Sequence, residues 1–323
     1  MSYLVTGGQG CIGAWVIRRL VRAGKQVVLF DRERQPRRLT QIMTPTELER
    51  VAYCQGDIAE RAQLERVFAE YPIEYVLHLA ALQVPTCQAD PALGARVNVV
   101  GTLHVLEMAA KAGVKRVVYA SSAAVAGRPE DYDGSFTEAS AALPHTHYGI
   151  FKQCNEGNAR VYFATHGLQS IGLRPWAVYG IGRDFGLTSD PTKAIKAAVA
   201  GRPFQIQFGG RMDLQYVDDV AGIFIACTES SLDGAHVLNL RGHVLPVEEF
   251  VATIERVLPK ARGLISHRLE RLPIIPDFDD SALRQVLHEI PHTPLERGIA
   301  ETAAIFQDLQ QEGRLPLEDL GPR

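Results

Sequence analysis

Short runs dense in Val, Ile and Leu recur along the first half of the chain. They lie at Tyr3 to Thr6, Val27 to Asp31, Val51 to Gln55, Tyr75 to Ala81 and Arg116 to Ser122, and each reads as a buried strand. Between them Ile12 to Ala23, Arg61 to Glu70 and Val97 to Ala112 carry apolar residues at helical spacing. This rhythm predicts a doubly wound α/β architecture, a parallel sheet with helices on both faces. After Arg174 and Pro175 the pattern loosens, and Pro191, Gly201, Pro203, Gly209 and Gly210 interrupt irregular strands. Residues 1–173, with return segments near 214–240, are therefore expected to form the main domain. Residues 174–323 are expected to form mainly a smaller α/β lobe over the carboxyl ends of the strands, where open α/β sheets bind ligands.

Composition narrows the partners. With 323 residues, of which 46% are hydrophobic and 22% charged, the chain can bury a substantial core without staples. A formal net charge of −3 supplies no basic field for nucleic acid or an anionic membrane, so neither is expected as a partner. Cys11, Cys54, Cys87, Cys154 and Cys227 are odd in number and scattered, with no metal-binding spacing. They read as free thiols in a reducing compartment. No apolar run approaches the ~18 residues of a membrane span, and the N-terminus enters a strand pattern at once. The expectation is a cytoplasmic protein without a metal.

Thr6-Gly7-Gly8-Gln9-Gly10-Cys11-Ile12-Gly13 leaves the first strand and opens the first helix. In such a loop the first glycine permits the tight turn and the second lets backbone approach a pyrophosphate. The third lets helix pack on strand, and the helix N-terminus faces the anion. This is the dinucleotide site of a Rossmann fold, with Gly7, Gly10, Cys11, Ile12 and Gly13 at the cofactor. Asp31 ends the second strand, where a carboxylate accepts the adenosine ribose hydroxyls and repels a 2′-phosphate. That favours NAD over NADP. Arg32, with Arg34, Arg37 and Arg38 nearby, is the opposing signal, since arginines could clamp a phosphate. Asp57 and Ile58, after the third strand, are placed around the adenine.

Tyr148 and Lys152 lie four apart in a helical segment, His147 to Phe163, and so share a face. Ser121 and Ser122 are delivered to the carboxyl edge of the sheet by the fifth strand. Bringing a tyrosine pKa from near 10 to about 7 requires roughly 4 kcal/mol of preference for the phenolate. A neighbouring ammonium in a dry site supplies much of that. Tyr148 then acts as acid/base on a substrate oxygen, Lys152 holds its charge and the nicotinamide ribose, and Ser122 orients the same oxygen. His78 sits in an apolar strand and reads as a hydrogen-bonded core residue, whereas His145 and His147 flank Tyr148 near the substrate.

Over about the first 230 residues the sequence resembles the extended short-chain dehydrogenase/reductase family, in its NAD-dependent epimerase/dehydratase branch. The resemblance rests on T-G-G-x-G-x-I-G at Thr6, G-D-I at Gly56, H-L-A-A at His78, N-V-x-G-T at Asn98, A-S-S-x-x-V at Ala120, Y-x-x-x-K at Tyr148, L-R-P at Leu173 and V-D-D-V-A at Val217. It implies catalytic Ser122, Tyr148 and Lys152. It also implies a cofactor lined by Leu79, Ala80, Ala81 and Pro175, with Asn98 supporting the active-site backbone. It further implies a homodimer built on the helices Val97 to Ala112 and Tyr148 to Thr165.

The sequence departs from nucleotide-sugar members of that branch. Ala177 stands where Asn is common, Met212 where Arg is usual, Ala126 replaces the tyrosine of V-Y-G, and the R-x-G-D signature is missing, with Arg268 and Arg271 outside its context. Each lost charge-assisted contact removes ~1.5 to 3 kcal/mol of diphosphate binding. A smaller substrate follows, held by Ser122, Tyr148, Arg174, Arg183, Thr188 and Ser189. Three readings compete. One is an NAD-dependent oxidoreductase acting at a secondary hydroxyl or keto carbon of a sugar, sugar acid or related polyol. Another is a nucleotide-sugar epimerase that recycles bound NAD, and the last is a dinucleotide sensor without chemistry.

Overall fold

The computed structural model describes residues 1–321. Its first six strands are β1 (Ser2–Thr6), β2 (Gln26–Asp31), β3 (Val51–Gln55), β4 (Tyr75–His78), β5 (Arg116–Ala120) and β6 (Ser170–Arg174). Six shorter or later ones follow: β7 (Ala177–Tyr179), β8 (Phe204–Ile206), β9 (Arg211–Tyr216), β10 (Ala235–Asn239), β11 (His243–Pro246) and β12 (Ile265–His267). Seven strands form one sheet in the order β10-β6-β5-β4-β1-β2-β3. Every neighbouring pair in it is parallel, as its helical crossovers require. The chain builds outward from β1 through β2 to β3, then returns to place β4 on the other side of β1. That reversal opens a crevice at the carboxyl ends of β1 and β4.

The sheet is a buried Rossmann sheet with helices on both faces. Tyr3, Leu4 and Val5 of β1 are wholly buried, as are Val76 and Leu77 of β4. One apolar layer joins Trp15, Ile17 and Leu20 of the Cys11–Arg22 helix to Phe224 of the Val217–Thr228 helix. The opposite layer joins Val105, Leu106 and Ala109 of the Gly101–Lys111 helix to Leu64 and Val67 of Arg61–Glu70. Smaller sheets, β11-β9-β7 and β12-β8, sit beyond the carboxyl edge. The first apolar layer runs on into them through Met212, Leu214 and Phe250, so both parts share a core.

Three expectations need local correction. The segment Val97 to Ala112 is not one uniform α-helix: Arg96–Val100 is a π-helical turn that leads into Gly101–Lys111. At that wide turn the Asn98 carbonyl accepts from Asn155 Nδ2 at 2.7 Å, a cross-link between two helices. Strand β4 stops at His78 instead of Ala81, and β5 at Ala120 instead of Ser122. The residues beyond leave the ladder to line the crevice. His78 is the core residue expected: its ring nitrogens pair with Thr6 Oγ1 at 2.6 Å and Thr102 Oγ1 at 2.9 Å. Burial pushes its pKa down to about 3. Among the described residues no helix is long and apolar enough to cross a membrane.

Candidate active site

The glycine loop is shaped by close packing. Gly7 has φ +72°, and a Cβ there would lie 2.4 Å from the Ala80 nitrogen. On Gly13 a Cβ would fall 2.3 Å from the Gly7 oxygen, so helix and strand touch through it. Gly10 is different, since only the Gly7 oxygen at 3.0 Å comes near, leaving its face open to the cleft. No side chain caps the helix that begins at Cys11. Its first N–H groups are available to an anion. Asp31 is held by two backbone donors, Gln9 N–H at 2.9 Å and Glu33 N–H at 3.0 Å. The Gln9 side-chain amide is buried with neither polar atom paired. An open glycine face, an uncapped helix and an orphaned amide beside a fixed carboxylate together fit a dinucleotide.

Around this end lies a cavity of about 240 Å³ lined by Asp31, Arg32, Asp57, Ile58, Leu79, Ala80 and Ala81. Arg32 pairs with Asp57 on its wall, at 3.8 Å. A second cavity of about 210 Å³ is lined by Cys11, Ile12, Ser122, Tyr148, Lys152, Pro175, Arg183 and Thr188. Gly7, Gly10, Leu79, Ala81 and Gln83 border both, which makes one continuous cleft.

The candidate reacting groups come from two elements locked together. Thr146 caps the His147–His166 helix by accepting from Gly149 N–H at 3.0 Å. A Cβ on Gly149 would sit 2.1 Å from the Ala124 oxygen, so the first helical turn lies directly on the segment after Ser122. Lys152 donates to the Ala120 carbonyl at 2.7 Å, with its nitrogen 5.4 Å from the Tyr148 ring centre. Burial pushes the Lys152 ammonium down to about 8, while the charges of Cys87 and Glu156 favour it. Burial also holds the Tyr148 phenol above its usual range, against the pull of Ser122's hydrogen bond and the Arg183 charge. The expected geometry is therefore present. The expected lowering of Tyr148 by Lys152 is not: in the polypeptide itself desolvation wins.

Several side chains expected at the cleft are engaged elsewhere. Arg174 does not reach the cleft; it is 4% exposed and makes a two-pronged ion pair with Glu156 behind the helix, at 2.8 and 2.7 Å. Ser189 is 1% exposed and donates to the Gly186 carbonyl at 2.8 Å, closing a turn before the Asp190–Ala200 helix. Asn98 acts through backbone and not as lining: its side chain accepts from Leu82 N–H at 2.7 Å and donates to the Leu82 carbonyl at 2.9 Å, so it fixes the segment after β4 that borders the cleft. His145 pairs with Asp131 at 3.4 Å, and His147 stacks on Phe151; neither lines the cleft. Ala126 is buried in the core, and Ala124 forms the wall beside Ser122 instead.

Gln83, Trp176, Leu187 and Ile274 line the substrate end and were not anticipated. Gln83 follows a strand at the carboxyl edge and could have been found by position. Ile274 comes from a distant loop with no local signal.

The family model for the NAD dependent epimerase/dehydratase family matches residues 3–240. The chain belongs to that family. It is an enzyme of the extended short-chain dehydrogenase/reductase type. It is similar to a UDP-glucose 4-epimerase of Mycolicibacterium smegmatis, 30% identical over 96% of this chain and 100% of the relative. Its fold matches the crystal structure of Thermotoga maritima UDP-glucose 4-epimerase with UDP-glucose, with TM-score 0.84 and 24% identity over 96% of this chain and 100% of that one. It also matches a partial-consensus L-threonine 3-dehydrogenase, with TM-score 0.83 and 22% identity over 95% and 100%. Among the described residues no three His, Cys, Asp or Glu side chains gather to hold a metal.

Proposed function

We propose that this enzyme is an NAD-dependent oxidoreductase acting at a secondary hydroxyl carbon of a sugar, sugar acid or related polyol. The observation that carries this is the charge inventory of the substrate end. Lys152 and Arg183 are the charged side chains on its wall. Met212, at the position where an arginine was expected, is 1% exposed and packed into the core. One guanidinium suits a carboxylate better than a diphosphate. NAD when bound supplies the hydride acceptor. Tyr148 takes the hydroxyl proton as hydride leaves the same carbon, Ser122 holds that oxygen, and Lys152 keeps a positive charge beside the phenol. Asp31, fixed as an acceptor by two backbone donors, supports NAD over NADP. On this reading residues 1–173 with the 214–240 return carry the cofactor, and 174–323 mainly grip the substrate.

A second reading, a nucleotide-sugar epimerase that retains its NAD, is favoured by the relative named UDP-glucose 4-epimerase, which aligns over its whole length. Absorbance at 340 nm separates the two. Added NAD with uronic acids or aldoses should give a steady rise, whereas UDP-sugars should give none. Calorimetric titration of the NAD-loaded enzyme with UDP should show weak binding. A dissociation constant below about 10 μM, worth roughly 7 kcal/mol, overturns the small-substrate reading. We further infer a cytoplasmic homodimer. Its cysteines are free, and Val100, Ile150 and Val161 are exposed apolar residues on the paired helices. Light scattering should give twice the mass of 35.5 kDa.

A further inference from the structure

Behind the reacting face of the His147–His166 helix lies a buried carboxylate that the chemistry above leaves unused. Glu156 stands one turn beyond Lys152 and is 4% exposed. Its Oε1 accepts from Ser121 Oγ at 2.5 Å and from Arg174 Nε at 2.8 Å, and its Oε2 accepts from Arg174 Nη2 at 2.7 Å. Arg174 continues to Asn239 Oδ1 at 3.4 Å, and Asn239 donates to the Phe136 and Asp279 carbonyls.

The partners matter more than the pair. Ser121 precedes Ser122 just beyond the end of β5. Arg174 ends β6 and precedes Pro175, whose carbonyl accepts from Ala123 N–H at 2.9 Å. Glu156 itself is on the helix that carries Tyr148 and Lys152. A single carboxylate therefore ties the three elements that present the hydroxyl, the phenol with its ammonium, and the wall at Pro175. A buried ion pair that served stability alone could stand anywhere in the core, and is commonly replaceable by apolar residues at little cost. This one stands where the three elements meet.

We propose that Glu156 is a positioning residue: bridged to Ser121 and Arg174, it sets the spacing of Ser122, Tyr148 and Lys152 and holds a negative charge one turn behind the ammonium. This rests on the reading of those three as the reacting groups. The groups facing Lys152 are Tyr148 and Glu156 from its own helix, His78 from β4, and Cys87 from the Val84–Ala89 helix. Glu156 in turn sits beside Tyr119 of β5, which also feels Arg174 and Arg160. His78 is neutral at physiological pH. Cys87 and Glu156 are the groups that pull the Lys152 ammonium back up, and of the two Glu156 is the one held in an ion pair, with Arg174.

The test uses the full-length protein. Glu156→Gln keeps size but turns one of the two acceptor oxygens into a donor and strands the Arg174 charge, so it is paired with Glu156→Gln/Arg174→Met, which removes both charges at similar volume. Competitive acetylation followed by mass spectrometry gives the pH at which Lys152 titrates, independently of any substrate. In the folded double variant that midpoint should move to lower pH by about half a unit or more. With the sugar identified by the 340 nm panel, kcat should fall about tenfold or more, and its alkaline limb should move the same way. NADH binding, followed by fluorescence, should change by about twofold at most. Glu156→Asp should restore part of the loss. An unchanged Lys152 midpoint with wild-type kcat in a double variant of native circular dichroism overturns the proposal. Tyr148→Phe measured alongside distinguishes the outcomes. If that variant keeps its activity, the assignment of the reacting groups has failed, and the midpoint still reports on Glu156.

Discussion

The two walls of the cleft are held in different ways. On the sheet side each reacting group has a buried anchor. Lys152 is bonded to the Ala120 carbonyl, the first helical turn packs through Gly149 on the Ala124 carbonyl just after Ser122, and Glu156 and Arg174 lock the elements from behind. On the other side Arg183 and Thr188 sit in the segment between β7 and the Asp190–Ala200 helix. Gly180, Gly182 and Gly186 there all have positive φ, at 125°, 94° and 105°. Arg183 bonds Thr188 at 2.9 Å and Gln83 at 3.2 Å, and an ion pair between Asp184 and Arg38 ties the segment at the surface. On the proposed reading the rigid wall carries the chemistry and the loop selects the substrate. A loop tied by partly exposed pairs can be rewritten without disturbing the sheet.

The comparison predicts that damage on the rigid wall destroys rate and leaves the cofactor in place. Tyr148→Phe removes the proton acceptor while keeping the ring. We expect kcat to fall by ~10²-fold or more, with NADH affinity by fluorescence within about twofold of wild type. Parallel loss of binding and rate would instead mean that Tyr148 holds the cofactor cleft together.

Rigidity on this wall also has a cost, which a second variant exposes. Lys152 is 5% exposed, and its pKa falls from 10.5 to about 8 on burial. A depressed folded-state value means that the stability tied to this group is present in full above 10.5 and is lost as pH falls through about 8. At pH 7 the buried ammonium therefore costs the fold on the order of 3 kcal/mol. Lys152→Met should raise Tm at pH 7 by several degrees, and the gain should shrink toward pH 10. Activity should be lost. A lower Tm at pH 7 would show that the bond to Ala120 outweighs desolvation.

Much of the rigid wall was legible in the sequence, and the reason is local. The glycine loop, Asp31 and the Tyr148–Lys152 spacing are defined by neighbours within one turn or one strand end, where periodicity and motif coincide. Arg174 misled because a cation after a strand at the ligand edge reads the same whether it faces ligand or core. Its partner Glu156 is 18 residues away in sequence. Ser189 misled in the same way, because a turn-closing hydroxyl and a ligand hydroxyl look alike. Tyr148's raised pKa comes from desolvation by the chain packed around its ring, which no spacing reveals. Ile274 and the tie between Arg38 and Asp184 depend on long-range chain reversal.

On the loop wall, Arg183→Ala sharpens the comparison from the other side. Loss of one charge-assisted contact is worth ~1.5 to 3 kcal/mol. The KM for an acidic sugar should therefore rise about tenfold or more, with kcat much less affected. A neutral sugar of the same configuration should show little change. Equal losses on both sugars would place Arg183 on the cofactor instead.

The smallest effect should come from the surface tie itself. Arg38 Nε donates to Asp184 Oδ2 at 3.2 Å and Nη2 to Oδ1 at 2.5 Å, while Nη1 reaches the Gln9 carbonyl in the glycine loop at 2.9 Å. The pair thus links the segment bearing Arg183 to the loop where the cofactor's phosphates would rest. Both side chains are 23% exposed, so the pair is screened by solvent and worth only ~1 kcal/mol. Asp184→Asn should therefore speed NADH release about fivefold at most in stopped-flow fluorescence, with Tm little changed. Salt should act in the same direction on the wild type, because screening weakens the same pair, and should act less on the variant. If release is equally fast and equally insensitive to salt in both proteins, the loop does not close over the cofactor, and the contrast between the two walls is confined to the substrate end.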